Sequence, residues 1–144
     1  MATGAKLGII VFSGDYDRVH YALITASAAA ATDRQVTLFF TMEGIRALLD
    51  EGADGAPGWA ALSAGADGTT ATARDGAHGD KGIGTFEELL GACVELGVTF
   101  MVCETGLKAV GISADALRRD VPVKTGGMVT FLAAAGTDGA MLFI

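Results

Sequence analysis

The sequence is poor in positive charge. Lys and Arg number 10 against 17 Asp and Glu, a formal net charge of −7 with a pI near 4.6. So acidic a chain does not suit a protein that tracks phosphates, so no nucleic-acid partner is expected. Long apolar runs are also missing. Mean hydropathy is +0.44, yet the longest helix-like apolar stretch, Tyr21 to Ala31, is mostly Ala with Thr and Ser. It falls far short of the ~20 residues that span a bilayer. The first apolar run, Leu7 to Phe12, is too short for a secretory leader and reads as a strand. A cytoplasmic protein with no stable membrane association is expected. Cysteine is scarce: Cys93 and Cys103 are the two in the chain. One pair is not a disulfide framework in a chain whose residues are 51% apolar. Together with widely spaced His20 and His78 it is not a zinc pattern either. No metal and no organic cofactor is expected.

What is present is a repeated alternation. The 144 residues fit one domain, 1–144. KLGIIVF (6–12), QVTLFF (35–40), VTFMV (98–102), Val121-Pro122-Val123 and AMLFI (140–144) are short apolar runs that read as strands. Helical segments separate them. The first opens at SGDYDR, where Ser13 or Asp15 can cap, and runs to about Ala31. A short second helix, capped by Thr41, extends to about Leu49. Thr85-Phe86-Glu87-Glu88 is a capping box. Beyond it Phe86, Leu89, Leu90, Cys93 and Leu96 recur at helical spacing up to Gly97. ETGLKAV ends at Gly111, and Thr125-Gly126-Gly127 opens a helix to about Ala135. Uniform apolar strands alternating with helices predict a three-layer α/β/α domain with a five-stranded parallel sheet covered on both faces.

Residues 50–84 break the pattern. Nine of the 21 glycines lie here, and Trp59, Leu62 and Ile83 are the only bulky apolar residues. The segment reads as an extended surface insertion with one short helical turn near 59–64. Trp59 suits a cover over the site, an oligomer contact or a local cluster.

In open parallel sheets, sites gather at the carboxyl ends of the strands. Cys103 leaves a buried strand and enters the first turn of a helix, where free amides and the helix dipole favour a thiolate, the reactive form. Glu104 opposes this by local repulsion. Cys93 lies on an apolar helix face and reads as core. Asp15, Asp17 and Arg18 read as capping and surface charge, Glu43 as a first-turn carboxylate, His20 as a core-edge residue and His78 as solvated. Lys124 with Thr125 and the amides that follow suits an anion. No phosphate loop supports a nucleotide site.

Three blocks carry a resemblance: SGDYDRVHYAL…VTLFFTMEGI, FEELLGACVELGVTFMVCETGLKAVGI and VKTGGMVTFLAAA. In this order and spacing they resemble the DsrE/DsrF-like family of sulfur-trafficking proteins, closest to the branch that carries a peroxiredoxin-like label. The resemblance covers nearly the whole chain, with 50–84 falling where that branch has a variable insertion. It implies the same three-layer fold and a homo-oligomer, a trimer or hexamer. It places the functional cysteine on Cys103, which would accept sulfane sulfur as a persulfide and pass it to a partner thiol. TusA-like carriers and rhodaneses are the partners it implies; it implies no peroxidase. Thr41, Lys124 and Thr125 on the same sheet edge are the candidate supporting residues. Where the family often has Ser and Met after the cysteine, this chain has Glu104, Thr105, Gly106 and Leu107. The insertion is acidic rather than basic, which argues against contact with anionic membranes. The alternative reading is a non-catalytic oligomeric binding or regulatory subunit, with the insertion contacting a partner.

Overall fold

A computed structural model describes residues 4–144. The first strand, β1 (Leu7–Val11), is buried along its whole length, as is β2 (Val36–Phe40). Between them runs α1 (Tyr16–Ala31). Asp15 is its N-cap, its carboxylate accepting from Arg18 N at 3.1 Å. The Ala-rich sequence favours helix throughout. The third strand, β3 (Thr99–Cys103), follows α3 (Phe86–Glu95), and α2 (Ala71–Asp80) precedes α3. Beyond β3 come α4 (Glu104–Val110), β4 (Val123–Gly126), α5 (Met128–Ala135) and β5 (Ala140–Phe143). All five strands are parallel, in the order β4-β3-β2-β1-β5. Parallel strands need crossovers, and the helices supply them.

Two cores lie on the two faces of the sheet. The larger packs Ile9, Val11, Leu38, Phe40, Phe100 and Val102 against α1 and α3. The smaller joins Ile10, Phe39, Met101 and Cys103 to Phe131 and Ala135 of α5. Gly8 makes this possible, since a Cβ there would stand 2.9 Å from the Phe131 ring and 3.0 Å from Ala135. Coverage stops at β5. Its four residues are exposed despite their apolar side chains, because α5 lies over β1, β2 and β4. The expectation of full burial on both faces fails at that edge.

Several sequence expectations shift. The third strand is 99–103 rather than 98–102, and the fourth is 123–126 rather than 121–123. Thr125 and Gly126 therefore belong to a strand, and α5 opens at Gly127. Residues 42–48 form a 3-10 helix, and Thr41 makes no side-chain capping bond there. The capping box at Thr85 and Glu88 forms as read, and Gly111 ends α4 in the left-handed conformation, φ 69°.

The largest correction concerns 50–84. It holds a 3-10 turn (Gly58–Ala61) and the ten-residue α2, and Trp59, Leu62, Ala64, Ala71 and Asp75 are buried. Trp59 stacks on Phe86 at 4.9 Å, and its Nε1 donates to Glu87 at 2.7 Å. Glu87 also takes a two-pronged bond from Arg118, which Asp120 holds from the other side. Of the alternatives for Trp59, the local cluster is the one that forms. Ser63 N donates to Gly14 O, and Tyr16 N donates to Ser63 O, tying the segment to the start of α1. Among the described residues, no helix is long and apolar enough to cross a membrane.

Candidate functional site

Strand order reverses between β1 and β5, the usual place for a ligand crevice in such sheets. Here the β1–β5 pairing runs on past the strand ends. Phe12 N and Ser13 N both donate to Ile144 O, at 2.8 and 3.1 Å. The chemistry-bearing residue lies two strands away, at the end of β3.

Cys103 is both the last residue of β3 and the N-cap of α4. Its backbone is extended (φ −73°, ψ 123°), as an N-cap requires. Its Sγ takes the role a Ser or Asp oxygen usually fills, accepting from Gly106 N at 3.4 Å. Among the described residues, that is the thiol's one hydrogen bond. The one donor aimed at the sulfur is therefore a backbone amide in the first turn of α4. The side chain lies in the small core under α5 and is 6% exposed. Glu104, the next residue, is solvent-exposed.

Gly106 sets this geometry. A Cβ there would lie 2.8 Å from both Thr41 Oγ1 and Met42 N. Its absence lets the first turn of α4 seat against the end of β2. Met42 carries a left-handed backbone, φ 51°, which turns the chain away immediately after Thr41. Thr41 and Cys103 thus flank the same glycine. Gly106→Ala is expected to lower stability by about 1–3 kcal/mol, because backbone rather than a flexible side chain must move. It should also slow alkylation of Cys103 by withdrawing the Gly106 amide. Urea denaturation and iodoacetamide kinetics read the two effects.

The other sequence candidates are placed differently. Lys124 is exposed on edge strand β4, on the same sheet face as Met101, its register partner. The register partner of Cys103 is Gly126, two residues further on. Thr125 faces the opposite side and lines an open groove with Glu104, Leu107 and Ile112. The structure therefore brings Thr41 to the Cys103 turn and leaves Lys124 and Thr125 on the neighbouring edge. Gly106 was not singled out in the sequence. Its position three residues after a strand-end cysteine is the signal that would have found it.

Cys93 is fully buried in the other core, across the sheet from Cys103. Its thiol donates weakly to Leu23 O at 3.7 Å, and burial pushes it up to about 12. It is an inert core thiol, and the two cysteines cannot meet without unfolding the sheet between them. Among the described residues, no group of three or more His, Cys, Asp or Glu is arranged to hold a metal ion.

A five-stranded parallel α/β sandwich with a cysteine capping the helix after its third strand defines the class of protein. The chain belongs to the DsrE/DsrF-like family, whose model matches residues 5–143. Two solved structures share the fold. One is the protein of unknown function MTH1491 from Methanobacterium thermoautotrophicum (TM-score 0.60, 17% identity, 98% of this chain and 100% of that one). The other is the ychN protein from E. coli (TM-score 0.58, 14% identity, 98% and 100%). The uncharacterized protein YrkE of Bacillus subtilis is 51% identical over 43 residues. That match spans 30% of this chain and 27% of the relative. Family membership points to a role related to sulfur metabolism.

Proposed function

We propose that the protein is a sulfur carrier that takes sulfane sulfur onto Cys103 and passes it to a partner thiol. The observation that carries this reading is the Gly106 N–H aimed at Cys103 Sγ from the start of α4. In the loading step the Cys103 thiolate attacks the terminal sulfur of a donor R–S–SH. The donor S–S bond breaks, R–S⁻ leaves with the electron pair, and Cys103–S–SH forms. Transfer onward is the same exchange with an acceptor thiolate, so no external oxidant or reductant is consumed. A TusA-like carrier and a rhodanese fit the two partner roles by their thiol chemistry.

The active form in this reading is a homo-oligomer. Val129, Leu132 and Met128 of α5, with Met141 and Phe143 of β5, are exposed on the face that bears the small core. Phe12 extends this surface by packing on Phe143, with ring centroids 5.3 Å apart. An apolar surface of this kind marks an interaction site.

The 6% exposure of Cys103 favours the second reading, a binding subunit that does not itself carry sulfur. Intact-mass spectrometry after incubation with polysulfide, or with thiosulfate plus a rhodanese, separates the two. Sulfur transfer predicts an adduct of about 32 Da per atom that disappears in Cys103→Ser and persists in Cys93→Ser, as expected if only the helix-capping thiol is reactive. Absence of any adduct on wild type, under conditions that load a control carrier, supports the binding subunit.

A further inference from the structure

Two histidines face each other where α1 meets α2, on the sheet face away from Cys103. Their ring centroids are 4.6 Å apart and the planes differ by 19°. His20 follows Tyr16 by one turn of α1, and His78 follows Asp75 by one turn of α2. Each helix thus presents a matched pair. The Tyr16 hydroxyl donates to Asp75 Oδ1, and the two imidazoles stack one turn further along. The Tyr16 ring also lies against both histidines, at 5.3 and 6.2 Å. His20 is 3% exposed, and its Nε2 bonds Gly84 O at 2.8 Å. A carbonyl can only accept, so that nitrogen carries a proton and donates.

The titratable and charged groups facing His78 are His20, Tyr16 and Asp17 from α1, and Asp75 and Arg74 from its own helix. Burial, and after it the neighbouring His20, hold His78 below its ordinary range, against the pull of Asp17 and Asp75. A second charge at 4.6 Å from the first is unfavourable wherever water is partly excluded.

We propose that the stacked His20–His78 pair is a pH-operated clasp, closing the 58–84 strap onto α1 when His78 is neutral and releasing it when His78 takes up a proton. In the open strap the imidazole meets water and returns to its ordinary value of 6.5. The folded value is lower, so the open form binds more protons below 6.5 and the closed form loses stability as pH falls. Above that value both forms are neutral at His78 and the clasp is at full strength. Opening uncovers Trp59 and the aromatic surface of Tyr16 and Phe86 beneath it. The inference does not depend on sulfur chemistry at Cys103.

Hydrogen exchange on the whole protein between pH 7.5 and 5.0 tests it. Protection factors for α2 amides should fall as the pH drops below 6.5, with a slope of at most about tenfold per pH unit if opening takes up one proton. Amides of β1, β2 and β3 should show no parallel fall. Emission of Trp59, the single tryptophan, should shift to the red over the same interval. In His78→Phe, which keeps a flat ring but cannot ionise, the slope should shrink to less than about twofold across the range. His78→Gln, a second non-ionisable variant at this half-buried position, should do the same. A flat wild-type profile overturns the clasp. So does a slope that survives in both variants, which would mean that His78 is not the group that takes up the proton.

Discussion

Phe131→Ala is expected to cost about 3–5 kcal/mol of stability, the range for removing a fully buried aromatic ring. Phe131 is completely buried and stacks on Phe39 at 4.8 Å. It fills the space that Gly8 leaves open. The core on that face has only six buried members, Phe131 and Cys103 among them. The five remaining members, Ile10, Phe39, Met101, Cys103 and Ala135, sit on strands or on α5 and cannot fill the volume of a lost phenyl ring, so a cavity persists. A domain of ordinary stability, about 5–15 kcal/mol, loses a large fraction of it. The functional readout follows from the geometry. With α5 loosened, the cover over Cys103 thins, and its alkylation should accelerate about tenfold or more if opening costs at least 1.4 kcal/mol less. Cys93, fully buried in the opposite core, should label more slowly than Cys103 in both proteins, since it is reached only by global unfolding. Urea denaturation with timed iodoacetamide labelling measures both. A loss below about 1.5 kcal/mol, with unchanged labelling, would mean that α5 is not held by this ring.

How much of this was legible in the sequence depends on what fills each interior. The sheet was legible because β1 and β2 are buried along their full length, so they read as unbroken apolar runs. Thr85 and Glu88 were legible because a capping box is a local motif. The placement of Cys103 was legible because a strand end followed by a helix start is a pattern of short range. The segment 50–84 was not. Helix α2 turns Ala71, Asp75 and His78 toward the interior, a helical spacing built from a small residue, an acid and an imidazole. A test for apolar periodicity does not register such a face. β5 misled in the opposite direction, because its apolar residues predict burial that the sheet edge does not provide. The left-handed Met42 and the 3-10 turn after it depend on Gly106, more than sixty residues away in sequence.

Asp75→Ala is expected to cost about 3 kcal/mol, although the residue belongs to the most polar part of the chain. Its Oδ1 accepts from the Tyr16 hydroxyl and from Phe86 N at 2.7 Å, and the residue is 9% exposed. Alanine leaves two buried donors without an acceptor, each costing about 1–3 kcal/mol. Burial first, and then the bond to Asp75, hold the Tyr16 phenol far above its ordinary range, so it remains a neutral donor. Asp75→Asn keeps a carbonyl acceptor and loses the charge, and should cost roughly half as much. Tyr16→Phe removes the hydroxyl but leaves the carboxylate bonded to Phe86 N, so its cost should be the smallest, about 1 kcal/mol. The double variant Tyr16→Phe/Asp75→Ala should cost less than the sum, by about 1 kcal/mol, because the hydroxyl is no longer stranded. Additive costs would mean that the hydroxyl and the carboxylate do not act on each other. The placement of these donors explains why the expected effect is large. Tyr16 opens α1 and Phe86 opens α3, so one carboxylate from α2 fixes the N-terminal ends of the two helices that cover the larger core.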